Sequence, residues 1–298
     1  MKIAIAGGTG LLGSKVSELA RAEGHDVTVL HIPRPAKSEA HDLQAWKDAL
    51  SQWTPETFSG YDAVMFFGGE PINSKWTEKK RQRIELSRQV PCRKMADCCT
   101  RADRPPAVIV SASATGFYGD RGDEVLTEEA KVGRGFLAPT TATWEACWES
   151  ARRSGIRVAL LRFGVVLSPH GGALKMMLPP FKLGLGGPMG GGRQWMPWIS
   201  LQDAARLAVF ALQKADLHGP INAVSPGEVR NGEFARILGH ALKRPAVIPI
   251  PGKVLRLAMG LMARETILAS CRARPAKALD AGFTFADNEL DGALKSMV

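Results

Sequence analysis

The chain begins Met-Lys-Ile-Ala-Ile-Ala and stops at Gly7-Gly8, a short apolar run bounded by turn residues. A strand buried on both faces of a parallel sheet reads this way. Leu11 to Glu23 then carries apolar and small residues at helical spacing, Gly24 closes that helix, and Asp26 to Leu30 is a second β-rich run. Strand, turn, helix and strand within thirty residues make a βαβ unit, which predicts a parallel sheet covered by helices. Ala63 to Phe67 and Ala107 to Ser111 continue the sheet. Between them Glu78 to Arg101 has the length of one long helix, bent or interrupted near Pro91. Thr141 to Arg153 predicts a further helix, and Val158 to Phe163 a further strand.

From Ser168 the pattern changes. Gly184 to Gly192 holds six glycines in nine positions, which suits a loop or a backbone-lined wall rather than a helix or strand. Leu201 to Lys214 reads as a helix with Ser200 as its N-cap, and Ile221 to Val224 as a strand. Helices are expected at Asn231 to Leu242 and Lys253 to Met262, around a strand-like Ala246 to Ile250. The fold class is therefore α/β: a Rossmann-type doubly wound parallel sheet with a smaller C-terminal α+β domain on the substrate side. The dinucleotide-binding part is expected over residues 1–170 and 200–224, and the smaller part over 171–199 and 225–298.

Composition narrows the class. At 298 residues with 45% hydrophobic and 23% charged residues, the chain is ordinary globular protein. No apolar run reaches the ~18 to 20 residues of a membrane span, since Arg162 interrupts Val158 to Leu167 and Arg256 the stretch near Leu255. No membrane partner is expected, and the opening residues do not read as a signal peptide. Cys92, Cys98, Cys99, Cys147 and Cys271 form no C-x-x-C pair, so neither a metal site nor a disulfide framework is expected, and a cytoplasmic setting fits. The net charge of +10 is scattered rather than interleaved with aromatics, so nucleic acid is not an expected partner. A homodimer is left open.

The chemistry concentrates in the first turn. Gly7, Gly10 and Gly13 fit G-x-x-G-x-x-G, follow a strand and open a helix. Such a turn lets the backbone approach a pyrophosphate, and the helix behind it presents free N–H groups and a positive end. A nicotinamide dinucleotide is the expected ligand. An NAD site usually closes its second strand with an acid. Here the strand ends Leu30-His31-Ile32-Pro33-Arg34 with Lys37 behind, which favours a 2′-phosphate and hence NADP(H). The alternative is that Arg34 and Lys37 belong to a solvated loop.

These residues, with Ser111-Ala-Ser-Ala-Thr-Gly-Phe-Tyr-Gly-Asp120, Trp144-Glu145, Leu161-Arg-Phe-Gly-Val-Val-Leu-Ser168, Pro180 to Gly187, Arg193-Gln-Trp195, Trp198-Ile-Ser-Leu-Gln-Asp203 and Gly219-Pro-Ile-Asn222, form a set. The set resembles the epimerase-like proteins of the atypical extended short-chain dehydrogenase/reductases, within the NAD-dependent epimerase/dehydratase superfamily, and covers nearly the whole chain. The resemblance implies cofactor contacts at Gly7, Thr9, Gly10, Leu11, Leu12, Gly13, His31 and Ile32. It extends them to Phe67, Gly68, Gly69, Arg88, Ser111, Ala112 and Ser113, with Arg34 standing in for an arginine that relatives place at Ile32. Arg193, Gln194, Trp195 and Trp198 are the implied substrate cleft.

The usual Tyr-x-x-x-Lys pair of that superfamily is absent, because Met65 and Gly122 stand four residues beyond Tyr61 and Tyr118. Thr140 or Thr141 would occupy the tyrosine's place and Trp144 or Glu145 the lysine's. Ser113 is the candidate to hydrogen-bond a substrate oxygen, or else caps a strand end. Glu145 is a candidate acid or base only if burial raises its pKa, and a solvated helix carboxylate is the other reading. Tyr118 reads as a structural loop residue. The expected function is an NADP(H)-binding, epimerase-like oxidoreductase of extended type acting on an unknown small molecule. The alternative is a catalytically weak or inactive NADP(H)-binding sensor or regulatory protein, with a link to cell division suggested by some relatives.

Overall fold

A computed structural model describes all 298 residues. The first half runs β1 (Lys2–Ala6), α1 (Leu11–Ala22), β2 (Asp26–Leu30), α2 (Leu43–Ala49), α3 (Pro55–Phe58), β3 (Ala63–Phe66), α4 (Glu78–Arg101) and β4 (Val108–Ala114). It continues through β5 (Val125–Leu126), α5 (Leu137–Ala146), α6 (Glu149–Arg153), β6 (Arg157–Phe163), β7 (Val165–Leu167) and α7 (Gly172–Lys182). The remainder is β8 (Trp198–Ser200), α8 (Leu201–Gln213), β9 (Gly219–Ala223), α9 (Asn231–Ala241), α10 (Gly252–Met259), β10 (Arg272–Ala273), α11 (Ala276–Asp280) and α12 (Leu290–Met297).

Six parallel strands form the central sheet in the order β2-β1-β3-β4-β6-β9. Strand alternation explains the two covered faces. Ile3, Ile5, Met65 and Leu161 pack with α1 and α8 on one side. Ala4, Ala6, Phe66 and Leu160 pack with α2 and α4 on the other. Strand order reverses at β1, so the loop leaving β1 opens into the crevice where such sheets bind ligands. A third cluster joins Leu174, Leu178 and Phe181 of α7 to Phe234 of α9 and Leu294 of α12, giving the smaller part its own packing. Phe283 and Phe285, which follow α11, return to the core of the main sheet.

Several boundaries differ from the sequence pattern for identifiable reasons. α4 runs unbroken through Pro91, because the tertiary packing of both flanks outweighs one lost backbone bond. β4 extends to Ala114, three residues beyond its expected end, because each added residue has a partner on β6. α7 lies where no helix was expected, its pattern masked by Pro179 and Pro180. Ala246 to Ile250 is not a strand and contributes one isolated bridge, Ile250 to Met189.

The glycine turn fixes how β1 feeds α1. Gly7 has φ +87°, and a Cβ on Gly13 would come within 2.2 Å of the Gly7 carbonyl oxygen. Gly13→Ala is therefore expected to destabilise the fold by about 1–3 kcal/mol, read as a drop in melting temperature by differential scanning calorimetry.

Candidate functional site

The site is built outward from that turn. A Cβ on Gly10 would meet only the Gly7 oxygen, at 3.4 Å, so the space before it is open. No side chain caps the N-terminus of α1, and its first turn holds no acid. The N–H groups of Leu11, Leu12 and Gly13 are left for a ligand, beside exposed Thr9. Anion binding by free N–H groups at a positive helix end fits such a cradle.

At the end of β2, His31, Arg34 and Lys37 are exposed and no acid lies between Leu30 and Ser38. Ile32 turns its side chain inward at the end of β2. It is buried at 5%, and its Cδ1 lies 2.4 Å from where a Cβ on Gly68 would sit. Its apolar side chain supports the Phe67–Gly69 backbone from beneath and offers a ligand nothing polar. Arg88 acts on the same loop from behind, donating to the carbonyls of Glu70 and Ile84 at 3.0 Å each. Burial pulls its pKa down to about 10, which leaves it a cation at neutral pH. Ser87 accepts from the Glu70 N–H at 2.9 Å. Across the opening, Asn73 reaches Met176 of α7 at 3.3 Å, and Gly171 lies against Leu11. The turn and the Gly69 loop thus share one crevice with α7.

The polar centre lies at the C-terminal end of the sheet. Ser113 on β4, Arg162 on β6 and Asn222 on β9 are register partners in one row. Arg162 is 3% exposed. Its Nε and Nη2 each donate to Glu145 at 2.8 Å, one to each carboxylate oxygen. Nη1 donates to the Tyr118 hydroxyl at 2.9 Å, and the guanidinium lies 3.6 Å from the Phe117 ring centroid. Burial alone would lower the pKa of Arg162, but the bonds and charge of Glu145 outweigh it and the pKa is raised. Ser113 Oγ donates to Glu145 Oε1 at 2.6 Å. Glu145 is thus buried and ion-paired, and the solvated-carboxylate reading is corrected by Arg162.

The register of α5 follows. Thr141 and Glu145, four residues apart, face the segment after β4, where Thr141 is buried near Gly116. Thr140 and Trp144 instead face α4, bonding Glu85 at 3.2 Å and Cys92 at 3.1 Å. Glu265, from the smaller part, accepts from the N–H groups of Phe136 and Leu137 and anchors the start of α5.

Ser111 is fully buried and bonds the Ala112 carbonyl at 3.1 Å, behind half-buried Ala112. Tyr118 is buried too, donating to Asn222 at 2.7 Å. In the expected substrate segment, Arg193 is exposed. Trp195 is half-buried between Arg230 and Arg272, at 4.3 and 4.5 Å. Trp198 and Gln194 do not form an open wall. Trp198 is a core residue bonded to the Gly227 carbonyl at 2.7 Å, and Gln194 ties together the carbonyls of Met189 and Ile267. Arg162, through Glu145, completes the surroundings of Ser113. The sequence signal for Arg162 is a lone arginine inside an otherwise apolar strand, within the Leu161–Ser168 motif.

The profile of the NAD dependent epimerase/dehydratase family matches residues 3–224, and a domain of unknown function, DUF1731, matches residues 250–297. Epimerase family protein Mb2239 of Mycobacterium bovis is 39% identical over 98% of this chain and 96% of its own length. Human epimerase family protein SDR39U1 is 33% identical over the full length of both chains. The crystal structure of its isoform 2 with NADPH superposes with a TM-score of 0.88 at 31% identity, covering 100% of this chain and 99% of that one. UDP-glucuronic acid 4-epimerase from Bacillus cereus shares the fold alone, with a TM-score of 0.78 at 16% identity, covering 100% and 98%.

Two outcomes follow from the buried network. Arg162→Met leaves Glu145 buried without its partner, which costs about 3–5 kcal/mol, whereas the Arg162→Met/Glu145→Leu pair should recover part of that loss in urea denaturation. Burial pushes the Tyr118 phenol up to about 12, against the bonds and charge of Arg162. A phenol raised on folding contributes stability that is complete below about pH 10 and lost as pH rises toward 12. Titration of the chain's two tyrosines by ultraviolet absorbance should show one phenol ionising only in that upper range, together with unfolding.

Proposed function

The chain belongs to the NAD dependent epimerase/dehydratase family, and on that premise we propose that it is an NADP(H)-dependent, epimerase-like oxidoreductase of a small molecule. In this reading Ser113 and Glu145 carry the proton. The observation behind it is the 2.6 Å bond from Ser113 to a carboxylate that stands four residues after Thr141, facing the end of β4. Support for the cofactor comes from the open Gly10 cradle, the acid-free end of β2 and the human relative crystallised with NADPH. The Gly7–Gly13 backbone would hold the pyrophosphate, and Arg34 with Lys37 the 2′-phosphate.

When bound, the nicotinamide gives or takes a hydride. The residues of this chain handle the proton. Ser113 has its hydrogen committed to Glu145, so it presents lone pairs outward and accepts from a substrate hydroxyl. As hydride leaves the carbinol carbon, the hydroxyl proton passes to Ser113 and the Ser113 proton to Glu145. Carbonyl reduction runs the same two transfers in reverse. Thr141, in the tyrosine's place, has no acidic proton near neutral pH, and both carboxylate oxygens of Glu145 are already engaged by Arg162. Loss of a tuned acid–base pair costs roughly 10² to 10⁴ in rate, so turnover is slow.

NADPH should raise the melting temperature more than NADH at equal concentration, and equal or reversed shifts would remove the 2′-phosphate reading. Gly10→Val should abolish cofactor binding by calorimetry while the circular dichroism stays native, because the added methyls fill the cradle rather than the core. Ser113→Ala and Glu145→Gln should each lower kcat by at least ~10-fold, within the usual range for proton-transfer groups, and leave NADPH affinity unchanged. Single-turnover NADPH oxidation with a metabolite identified by thermal shift measures this, and unchanged rates in both variants would place the reacting centre elsewhere.

A further inference from the structure

One face of the smaller part combines exposed apolar side chains with unpaired cations. Residues 182–190 and 244–252 run side by side, joined by Arg244 Nε to the Lys182 carbonyl at 3.0 Å and Ile248 N–H to the Gly186 carbonyl at 3.1 Å. The Ile250 N–H donates to the Pro188 carbonyl at 2.9 Å. α10 follows directly. Along this surface Leu183, Leu185, Val247, Ile248, Val254 and Leu257 are all exposed, Val247 at 76% and Leu257 at 87%. α10 turns Leu255 inward and leaves Lys253, Val254, Arg256 and Leu257 outside.

The stretches that build this face carry no acid of their own. No Asp or Glu occurs between Glu149 and Asp203, nor between Glu233 and Glu265. Lys182, Lys243, Arg244, Lys253 and Arg256 are exposed, and none makes an ion pair within the chain. Isolated exposed apolar residues need no explanation, but six of them on two paired stretches and the helix that follows, beside five cations, do. A protein-binding hot spot is usually built on aromatic anchors, and neither stretch exposes an aromatic residue. What singles out a lipid occupant is the charge: exposed Lys and Arg with no ion-pair partner, beside exposed aliphatic side chains, complement anionic headgroups.

We propose that this face docks the protein on an anionic phospholipid bilayer, with Leu183, Val247 and Leu257 entering the headgroup boundary and the five cations meeting lipid phosphates. A span is not required, so the absence of any helix long and apolar enough to cross a membrane is compatible with it. None of these residues belongs to the Gly7–Gly13 cradle or contacts Ser113, Glu145 or Arg162.

Cosedimentation with unilamellar vesicles tests the proposal, using phosphatidylcholine alone and phosphatidylcholine mixed with phosphatidylserine. The full chain should bind the mixed vesicles at least ~10-fold more tightly, and added salt should reduce that binding. Each cation near such a surface is worth about 1 kcal/mol, or about fivefold, so Lys253→Glu/Arg256→Glu should bind more than ~10-fold more weakly. Leu257→Asp should weaken binding through the apolar contribution. Both variants should keep the parent's NADPH-induced thermal shift, which checks their folding and leaves the cofactor site out of the result. If the full chain shows no preference for phosphatidylserine, or if both variants bind as the parent does, lipid docking is overturned and the face belongs to a protein partner.

Discussion

Arg162 is a permanent cation placed inside a six-stranded sheet, and the chemistry of the site depends on how that cation is satisfied. Burying a charge without partners costs several kcal/mol. The fold supplies a carboxylate bound through two donors, a phenol oxygen and the face of Phe117. The partners come from two segments: Glu145 from α5, and Phe117 and Tyr118 from the turn after β4. One guanidinium thus ties together α5, the chain leaving β4 and, through Glu145, the hydroxyl of Ser113. The smaller part joins in through Glu265, whose carboxylate grips the first N–H groups of α5.

The same arrangement explains what stands where a tyrosine and lysine would be. A lysine at position 145 would face Arg162, two cations in one buried space. A carboxylate there is the complement that Arg162 demands, and Ser113 is drawn into hydrogen bonding with it. The Ser113–Glu145 hydrogen bond is therefore a consequence of ion pairing in the core.

Much of this was legible in the sequence, because the βαβ opening is coded by local rules. A short continuous apolar run, a glycine turn and a helix stop at Gly24 lie within thirty residues and need no distant contact. Ser200 likewise caps α8, accepting from the Asp203 N–H at 3.1 Å, as its position implied. Features set by tertiary packing were not legible. Pro91 should interrupt α4 on local grounds, and Pro179-Pro180 should forbid α7, yet packing against neighbouring elements holds both helices. The roles of Ile32, Gln194 and Trp198 depend on which way each side chain turns, and a motif does not carry that. The register of α5 was open between neighbours because only Arg162, seventeen residues away, decides that Glu145 rather than Trp144 faces the sheet.

The most direct test is a high-resolution crystal structure of the protein with NADPH bound. The account predicts the pyrophosphate on the Gly7–Gly13 backbone and the nicotinamide ring beside Ser113, with Ser113 Oγ still bonded to a Glu145 carboxylate held by Arg162. A nicotinamide seated away from Ser113, or a Glu145 released from Arg162 and turned to solvent, would contradict it.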